Sequence, residues 1–435
     1  MTSSKVSSWT LVTGTVALVL MLACTPARAD EINDLKAQNI ALAQQLEAVI
    51  GEVTRLKEQM TSNQQTLEIL ATQSAAPAPV QAAAAAPDVV RSGGTNAKLE
   101  LSGQVNRTVL YGDDGQEARF FHADNNNSST RFRIIGEAEL GEVTAGAQFE
   151  FEFRSNNSNS DIKIGQDTED NTGSTLSERK IEAYFDHAYL GRVWLGQGQT
   201  ASDGTGEADL SGTLVVASVD IEDLAGGLEF RNAVTAVSSG IEIGDSFDSM
   251  DGGGRADRIR YDTPKFYGAK FSASHSDGDS WDLGLSYGAA YGETKLKAGL
   301  GYRDASVTGS NFARLNASAS ILFPFGANIS VSYAGDSFDD ELATREDRNL
   351  YYVKLGYLTD EITRFGATAF SIDYYTSNDQ GAAGEESTAY GLAAVQKVPK
   401  IGTNFYVGLR NHELERTGLS LEDSLVVATG ARVKF

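Results

Sequence analysis

Apolar and polar residues alternate in short runs from about residue 98 to the carboxyl terminus. In the last run, Ala431 and Val433 occupy one face of an extended segment, while Arg432 and Lys434 occupy the other. A period of two describes a strand with one apolar and one polar face. Sixteen such runs follow one another, joined by connections that are mostly short and long in turn. This pattern predicts an all-β transmembrane barrel of 16 antiparallel strands over residues 98–435.

The lengths of the connections predict the orientation of this barrel. Residues 141–143 and 292–293 are tight turns, whereas 112–129 and 155–178 are long, polar and acidic. Outer-membrane barrels have short periplasmic turns and long external loops. Aromatic residues near the strand ends are predicted to face outward as girdles; they are Tyr111, Phe185, Trp194, Tyr261, Tyr287, Tyr302, Tyr351 and Tyr374. The alternative is a soluble β-sandwich or lipocalin-like barrel, in which the polar faces would be the exposed surface.

The first 29 residues have the features of an export signal. Lys5 precedes an apolar stretch over 11–23, and Ala27-Arg28-Ala29 is a suitable cleavage site. The alternative is a lipoprotein that is acylated at Cys24. Both interpretations export the chain.

Residues 30–71 carry a heptad repeat that predicts a coiled coil. Ten of its twelve seam positions are apolar, and the two polar ones are Asn39 and Asn63, which we expect to fix the register. Residues 72–97 are rich in Ala and Pro and predict a linker. The predicted chain is therefore a signal peptide, a helical coiled-coil stalk in the periplasm, a linker and a barrel.

Composition narrows the classes of function. The formal net charge is −23, which argues against nucleic acid as a partner. Cys24 is the only cysteine and the four histidines are scattered, so no catalytic residues, metal site or cofactor are expected and the chain is not predicted to be an enzyme. Weak Ca²⁺ binding at acidic external loops is the one exception considered, with Asp277, Asp279 and Asp282 as an example that lacks EF-hand spacing.

Three segments resemble the general diffusion porins of Gram-negative outer membranes: TRFRIIGEAELG, RKIEAYFDHAYLGRVWLGQGQTASDG and RIRYDTPKFYGAKFSASHSDG. The terminal Phe435 resembles the assembly signal of that family. The resemblance implies a homotrimer of 16-stranded barrels in which the third loop folds into each lumen. The coiled coil is a departure from the simplest members and resembles the periplasmic stalks of some substrate-selective porins.

Charged residues at inward parity suggest how such a pore would select ions, because selectivity comes from charges on opposite walls of a constriction. The predicted basic pore wall consists of Arg131, Arg133, Arg154, Arg258 and Arg260. The longest connection, residues 199–255, supplies the predicted constriction acids Asp203, Glu207 and Asp209, with Asp220, Glu222 and Asp223 further along. The sequence leaves the ion preference open, with a lean towards cations from the net charge.

The predicted function is that of an outer-membrane porin, a water-filled channel for passive diffusion of ions and small hydrophilic solutes. Two alternatives stay open: a sugar- or anion-selective porin, and a trimeric surface adhesin or structural tether to the cell wall. The expected partners are two further copies of the chain, outer-membrane lipid and lipopolysaccharide, and peptidoglycan through the stalk.

Overall fold

The computed structural model describes residues 97–164, 175–305, 312–338 and 346–435, together with Arg55 and Val90–Arg91. Nearly all of the predicted signal peptide, coiled coil and linker, including Asn39 and Asn63, lies outside these residues. In the part of the chain that is described, no helix has the length and apolar character needed to cross a membrane.

Sixteen long antiparallel strands make up a single sheet, as the alternating pattern predicts. In chain order they are β1 Lys98–Asp113, β2 Arg131–Leu140, β3 Val143–Arg154, β4 Thr175–His187, β5 Gly191–Gln199, β6 Arg255–Asp262, β7 Ala269–Ser276, β8 Ser280–Tyr291, β9 Thr294–Ala305, β10 Phe312–Leu322, β11 Ala327–Phe338, β12 Arg348–Thr359, β13 Thr368–Asn378, β14 Glu385–Val398, β15 Thr403–Arg416 and β16 Ser424–Lys434.

The sheet closes into a barrel because β16 pairs with both β15 and β1. Phe435 extends this closure, since its N–H donates to Gly103 O at 3.0 Å and its carbonyl accepts from Gly103 N at 2.9 Å. The phenylalanine ring lies where a β-carbon at Gly103 would stand, 2.6 Å from its Cζ. The carboxyl terminus is thus part of the barrel wall, and the proposed assembly role of Phe435 stays a prediction.

Side chains alternate between the lumen and the outer surface along each strand. Large apolar residues such as Phe185, Tyr261 and Tyr351 are exposed on the outside, as an aromatic girdle requires. Trp194 was predicted among them, and that prediction is wrong. Its register partners are Tyr184 and Arg260, and its indole Nε1 donates to the buried Asp262 at 3.1 Å, so it faces the lumen.

One predicted loop contains regular structure. Within residues 112–129, the strand Ala118–Asp124 pairs with the second half of β1, while the first half of β1 pairs with β2. The strand Ala118–Asp124 and β2 therefore share one edge of β1 and are separated by the insertion 125–130. Asn125 in this insertion is fully buried, and its Nδ2 donates to Val215 O at 2.8 Å.

The connection between β5 and β6, residues 200–254, is the third long loop and is called L3 below. It holds two short helices, Glu222–Ala225 and Ile243–Ser246, and a hairpin of Glu229–Arg231 with Ser238–Glu242. Arg231 in the hairpin forms a buried ion pair with Asp114, which follows β1. L3 also packs on the inward faces of several strands, which places it inside the barrel.

Candidate functional site: the lumen and its constricting loop

The first leg of L3 runs along the inner wall on a series of serine hydroxyls. Ala208 N donates to Ser318 Oγ at 2.8 Å, and Leu210 N donates to Ser320 Oγ at 3.0 Å. Serine hydroxyls also bond Ala201 N (Ser274), Gly206 O (Ser332) and the Thr213 hydroxyl (Ser371), and Ser202 N donates to the carboxylate of Asp282. These partners lie on β7, β8, β10, β11 and β13, so the leg crosses the wall strand by strand.

Inward glycines make room for this leg. A β-carbon at Gly284 of β8 would overlap the carbonyl oxygen of Ala201, and one at Gly408 of β15 would stand 2.6 Å from Val216 Cγ2. Any larger residue at these positions would push L3 away from the wall. Small inward residues are therefore what allows the loop to lie inside the barrel.

The second half of L3 is anchored by an apolar core. Its central residue is Phe247, which is 0% exposed and contacts the rings of Phe230, Tyr375 and His412 at centroid distances of 6.1, 5.5 and 5.4 Å. Buried wall residues from β12 to β16 and from β1 complete this core; they are Leu350, Tyr352, Ala369, Ala389, Val395, Tyr406, Leu414, Val426 and Leu110. We call this part of the wall the L3-bound sector.

The next part of the wall, β2 to β6, carries ionised side chains, and we call it the charged sector. Glu150 of β3 accepts from Arg133 Nε at 2.7 Å and from Arg179 Nε at 3.0 Å, and lies 3.7 Å from Arg131. Glu152 pairs with Arg154 at 2.6 Å and with Arg179 at 2.5 Å. The predicted wall residues Arg131, Arg133 and Arg154 are therefore brought together around two carboxylates, with more positive than negative charge.

The other two predicted wall arginines lie on β6. Arg258 pairs with Glu182 at 2.5 Å, and both side chains are almost fully buried. Arg260 pairs with Asp262 at 2.8 Å and donates to Thr200 O at 2.6 Å. Both face inward, but their N–H groups are committed to the wall and to the start of L3. The role of all five arginines in permeation stays a prediction.

The predicted constriction acids occupy two different environments. Asp209 forms an ion pair with Lys354 of β12 at 2.6 Å, and both side chains are buried. Asp203 and Glu207 are only partly covered, and Glu207 has no ion-pair partner among the residues described. Asp209 thus holds L3 to the wall, while Glu207 keeps an unpaired carboxyl group; whether each lines the constriction stays a prediction.

Loss of water and mutual repulsion raise the pKa values of several carboxyl groups in L3. The charge of Asp220, together with loss of water, raises the pKa of Glu207 well above its usual value. Loss of water and the charge of Asp203 raise the pKa of Asp251 to about 7, and the same causes, with Asp220 as the neighbour, raise the pKa of Asp223 to about 7. At neutral pH, Asp223 and Asp251 are therefore only partly ionised.

Two contributions to the charged sector were not predicted from the sequence. Parity allows only one of the neighbours Arg179 and Lys180 to face inward, but a bulge opposite Glu150 and Phe151 turns both towards the lumen. The insertion 125–130 also enters the lumen, where Arg179 donates to Ser129 Oγ at 3.2 Å. The triplet of asparagines in this insertion was the available signal, because such residues favour irregular turns.

The acidic residues considered for Ca²⁺ do not act as one group. Asp282 faces inward and accepts from the N–H and the hydroxyl of Ser202 at 2.8 and 2.6 Å, whereas Asp277 and Asp279 lie at the exposed turn before β8. Within the described ranges, no group of three or more His, Cys, Asp or Glu side chains is arranged to hold a metal ion.

Comparison with known proteins places this geometry in a family. The family model described as Gram-negative porin matches residues 71–417. The chain belongs to the Gram-negative porins. This porin is therefore an outer-membrane channel for passive diffusion of ions and small hydrophilic solutes. A comparison with curated protein sequences gave no match.

Solved structures show the same fold at low sequence identity. The anion-selective porin from Comamonas acidovorans is 18% identical, with a TM-score of 0.54, over 78% of this chain and 100% of that one. The outer-membrane channel DcaP of Acinetobacter baumannii is 12% identical, with a TM-score of 0.51, over 80% of this chain and 99% of that one. A loop-deleted form of the Vibrio cholerae outer-membrane protein OmpT is also 12% identical, with a TM-score of 0.51, over 78% and 100%.

Proposed function

We propose that this porin sorts solutes by a transverse electric field between the acids of L3 and the charged sector. The observation that carries the proposal is a short chain of contacts across the lumen. Asn126 donates to Asp223 of L3, and three residues later Ser129 accepts from Arg179 of the wall. Negative and positive groups thus stand on either side of the insertion 125–130. Such a field orients dipolar solutes and penalises apolar ones.

The field is tested by zero-current potentials in planar bilayers under a salt gradient. We expect a weak preference for cations, because the unpaired carboxyl groups of L3 face the pathway. Arg133→Gln should increase this preference about twofold, since a unit charge about 10 Å away in water contributes ~0.4 kcal/mol. Because the pKa of Glu207 is raised, Glu207→Gln should decrease this preference by a similar factor only at a pH high enough to ionise Glu207. Anion preference in the wild type, or shifts of the same sign in both variants, would contradict the proposal.

A homotrimer is the proposed assembly. Support comes from the outer face of β1, where Arg107 interrupts the apolar positions Val105 and Val109 and pairs with Asp124 at 2.5 Å. A charged side chain facing lipid near mid-membrane costs ~2–4 kcal/mol in a barrel, whereas a protein neighbour accepts a paired one. Conductance that opens in steps of three would support the trimer. A silent membrane would instead favour the adhesin or tether.

The stalk is proposed to lie in the periplasm as a parallel three-stranded coiled coil that spaces or anchors the trimer at the cell wall. Three helices can share the axis of three barrels, whereas a two-stranded coil would leave one helix unpaired. Deleting residues 30–90 should therefore leave single-channel conductance unchanged and weaken the trimer or its retention by peptidoglycan. Loss of conduction by correctly inserted barrels would show that the stalk belongs to the permeation path.

The remaining assignments are also proposals. We expect no enzymatic activity and no tightly bound cofactor, and we expect Ca²⁺ to bind only at the acidic external loops and only at millimolar concentrations. Lipid and lipopolysaccharide are the expected neighbours of the outward apolar band.

A further inference from the structure

A group of cations lies on the lumen wall between L3 and the periplasmic turns. The group consists of Lys397 of β14 and of Arg432 and Lys434 of β16, and we call it the basic patch. All three face the lumen. Lys397 Nζ lies 2.8 Å from the place where a β-carbon of Gly212 in L3 would stand, and Arg432 Nη1 donates to Ser128 Oγ in the insertion 125–130 at 2.8 Å. Lys434 is two residues from Arg432 and therefore lies on the same face of β16.

Strand register brings the three cations together. Lys397 stands opposite Asn404 of β15, and Asn404 stands opposite Arg432. Because neighbouring strands are about 4.8 Å apart, the backbones at Lys397 and Arg432 are separated by about 10 Å. Gly408, which is further along β15, lies against L3, so the basic patch is on the periplasmic side of the loop. Long lysine side chains can span this separation to reach a shared ligand.

The charge of the basic patch is not balanced by the protein. In the part of the chain that the structure describes, the ammonium groups of Lys397 and Lys434 form no ion pair and no hydrogen bond. The charged groups that act on Lys434 are Arg131, Lys397 and Arg432, and all of them are positive.

Two carboxylates act on Lys397, but neither neutralises it. Asp209 of L3 is already paired with Lys354 at 2.6 Å. Asp360 lies in the exposed turn after β12 and forms no ion pair with Lys397. The basic patch therefore keeps a net positive charge that faces the lumen.

An excess of hydrogen-bond donors adjoins the basic patch. Arg432 Nη1 and Gln104 Nε2 lie 2.8 and 2.9 Å from Ser128 Oγ, and Arg131 Nη2 lies 3.3 Å from the same oxygen. A hydroxyl oxygen has two acceptor lone pairs, so three donors compete for two positions. Arg432 Nε is also buried, and it has no acceptor among the residues described. Because an unpaired buried donor costs free energy, this part of the wall favours a ligand that supplies acceptor oxygens.

We propose that the basic patch is a binding subsite for multivalent phosphates, of which pyrophosphate is the simplest with two linked phosphoryl groups. The inference rests on the proposed passage of solutes through this lumen. Phosphate oxygens accept charge-assisted hydrogen bonds from Lys and Arg, so such a ligand satisfies both the unbalanced charge and the free N–H groups. Two phosphoryl groups bridge the separation between Lys397 and Arg432 better than one. Because the patch lies inside the barrel, its ligand is a diffusing solute and not a lipid headgroup.

Calorimetric titration of the purified full chain with pyrophosphate at low salt tests the subsite. We expect saturable binding, and Lys397→Met and Lys434→Met should each weaken it about fivefold, as for the loss of one unit charge about 4 Å away in water. The matched control is Lys297→Met on β9. Lys297 is exposed and stands opposite Ser320, whose hydroxyl accepts from L3, so it faces the same lumen away from the basic patch. This control should leave the affinity unchanged, and nitrate, a monovalent oxyanion, should give no saturable heat.

Zero-current potentials give a second readout, because bound pyrophosphate adds negative charge to the lumen. Pyrophosphate should raise the cation preference of the wild type and of Lys297→Met about twofold, and it should have little effect when Lys397→Met and Lys434→Met are combined. Heat-modifiable migration on SDS gels checks that each variant has folded, and Lys397→Met leaves the terminal strand untouched.

Three results would overturn the subsite: no saturable binding of pyrophosphate, equal weakening by Lys297→Met, or equal binding of nitrate. Failure of the subsite is distinguishable from failure of the proposed field. If Arg133→Gln and Glu207→Gln shift the ion preference as expected but pyrophosphate does not bind, the subsite alone is refuted. If pyrophosphate binds but those two variants do not shift the ion preference, the field alone is refuted.

Discussion

The L3-bound sector and the charged sector are built from strands of the same barrel, yet they use inward positions in opposite ways. In the L3-bound sector, the inward cations Lys354 and Arg410 are almost fully buried, and each pairs with one carboxylate. In the charged sector, Arg133 and Arg154 keep about a third of their side chains exposed. The L3-bound sector is covered by L3, whereas the charged sector faces the part of the lumen that L3 leaves open.

This difference shows that inward parity alone does not define a pore-lining residue. An inward position contributes to permeation only where L3 leaves the wall uncovered. Where L3 covers the wall, the inward positions of the strands hold residues that are small, apolar or paired with an opposite charge. The position of L3 therefore determines which inward residues are left uncovered in the lumen.

The largest effect is expected from opening the apolar core under L3. Phe247→Ala removes a fully buried ring that contacts three others, which should cost ~3–5 kcal/mol because the cavity cannot collapse. We expect a detached second half of L3, higher mean conductance and noisier openings in planar bilayers. The matched control is Phe266→Ala, which removes a ring that is 60% exposed at a periplasmic turn and should leave conductance unchanged. Equal behaviour of the two variants would show that L3 does not depend on this core.

A somewhat smaller effect is expected from breaking the buried ion pair that fixes the first leg. Lys354→Met leaves Asp209 buried without its ion-pair partner and removes a hydrogen bond to Ala217 O, at a cost of ~3–5 kcal/mol. The serine contacts still hold the first leg of L3 to the wall. The midpoint of thermal unfolding should therefore fall, while conductance should change only modestly.

Two further variants sharpen this test. Adding Asp209→Leu to Lys354→Met should restore most of the stability, because no unpaired charge is then buried. Arg133→Met in the charged sector should cost less than ~1 kcal/mol, since Arg133 is 36% exposed and Glu150 keeps two other arginines. If Arg133→Met were as destabilising as Lys354→Met, the proposed distinction between the sectors would be wrong.

The number and alternation of the strands were predictable from sequence because each strand has a lipid face, which must be apolar over its whole length. The same reasoning was wrong where a residue could face either the lipid or the lumen at a similar cost in free energy. Trp194 was assigned to the outer girdle from its type and its place near a strand end. The structure turns it inward, where Asp262 satisfies its N–H and Arg192 covers its ring.

The internal loop was harder to predict than the barrel. The length and acidity of L3 were predictable from the sequence. The different environments of Asp209 and Glu207 were not, because Asp209 pairs with Lys354, a residue 145 positions further along the chain. The bulge that turns both Arg179 and Lys180 inward also has no local signal, because it is set by register against β3. The arrangement of the site depends on strand register and loop packing between residues that are far apart in the chain. Neither produces a short repeat in the sequence from which it could be predicted.

The smallest effect, and the one most specific to L3, is the pH dependence of ion preference. Because the pKa values of Asp223 and Asp251 are raised to about 7, these groups are neutral below that pH and charged above it. Cation preference in zero-current measurements should therefore rise as the pH increases from 6 to 8, by about twofold for each group that ionises near the pathway. The free energy of unfolding should change in the opposite direction. Because the folded loop favours protonated Asp251, the stability that this group contributes is lost as the pH rises from 3.8, its ordinary pKa, to about 7, its pKa in the folded loop. Asp251→Asn keeps one of the two oxygens that accept from the N–H groups of Gly204 and Gly206, and it should flatten the titration. A midpoint near 4, unchanged by Asp251→Asn, would show that Asp223 and Asp251 are fully ionised at neutral pH and would contradict their raised pKa values.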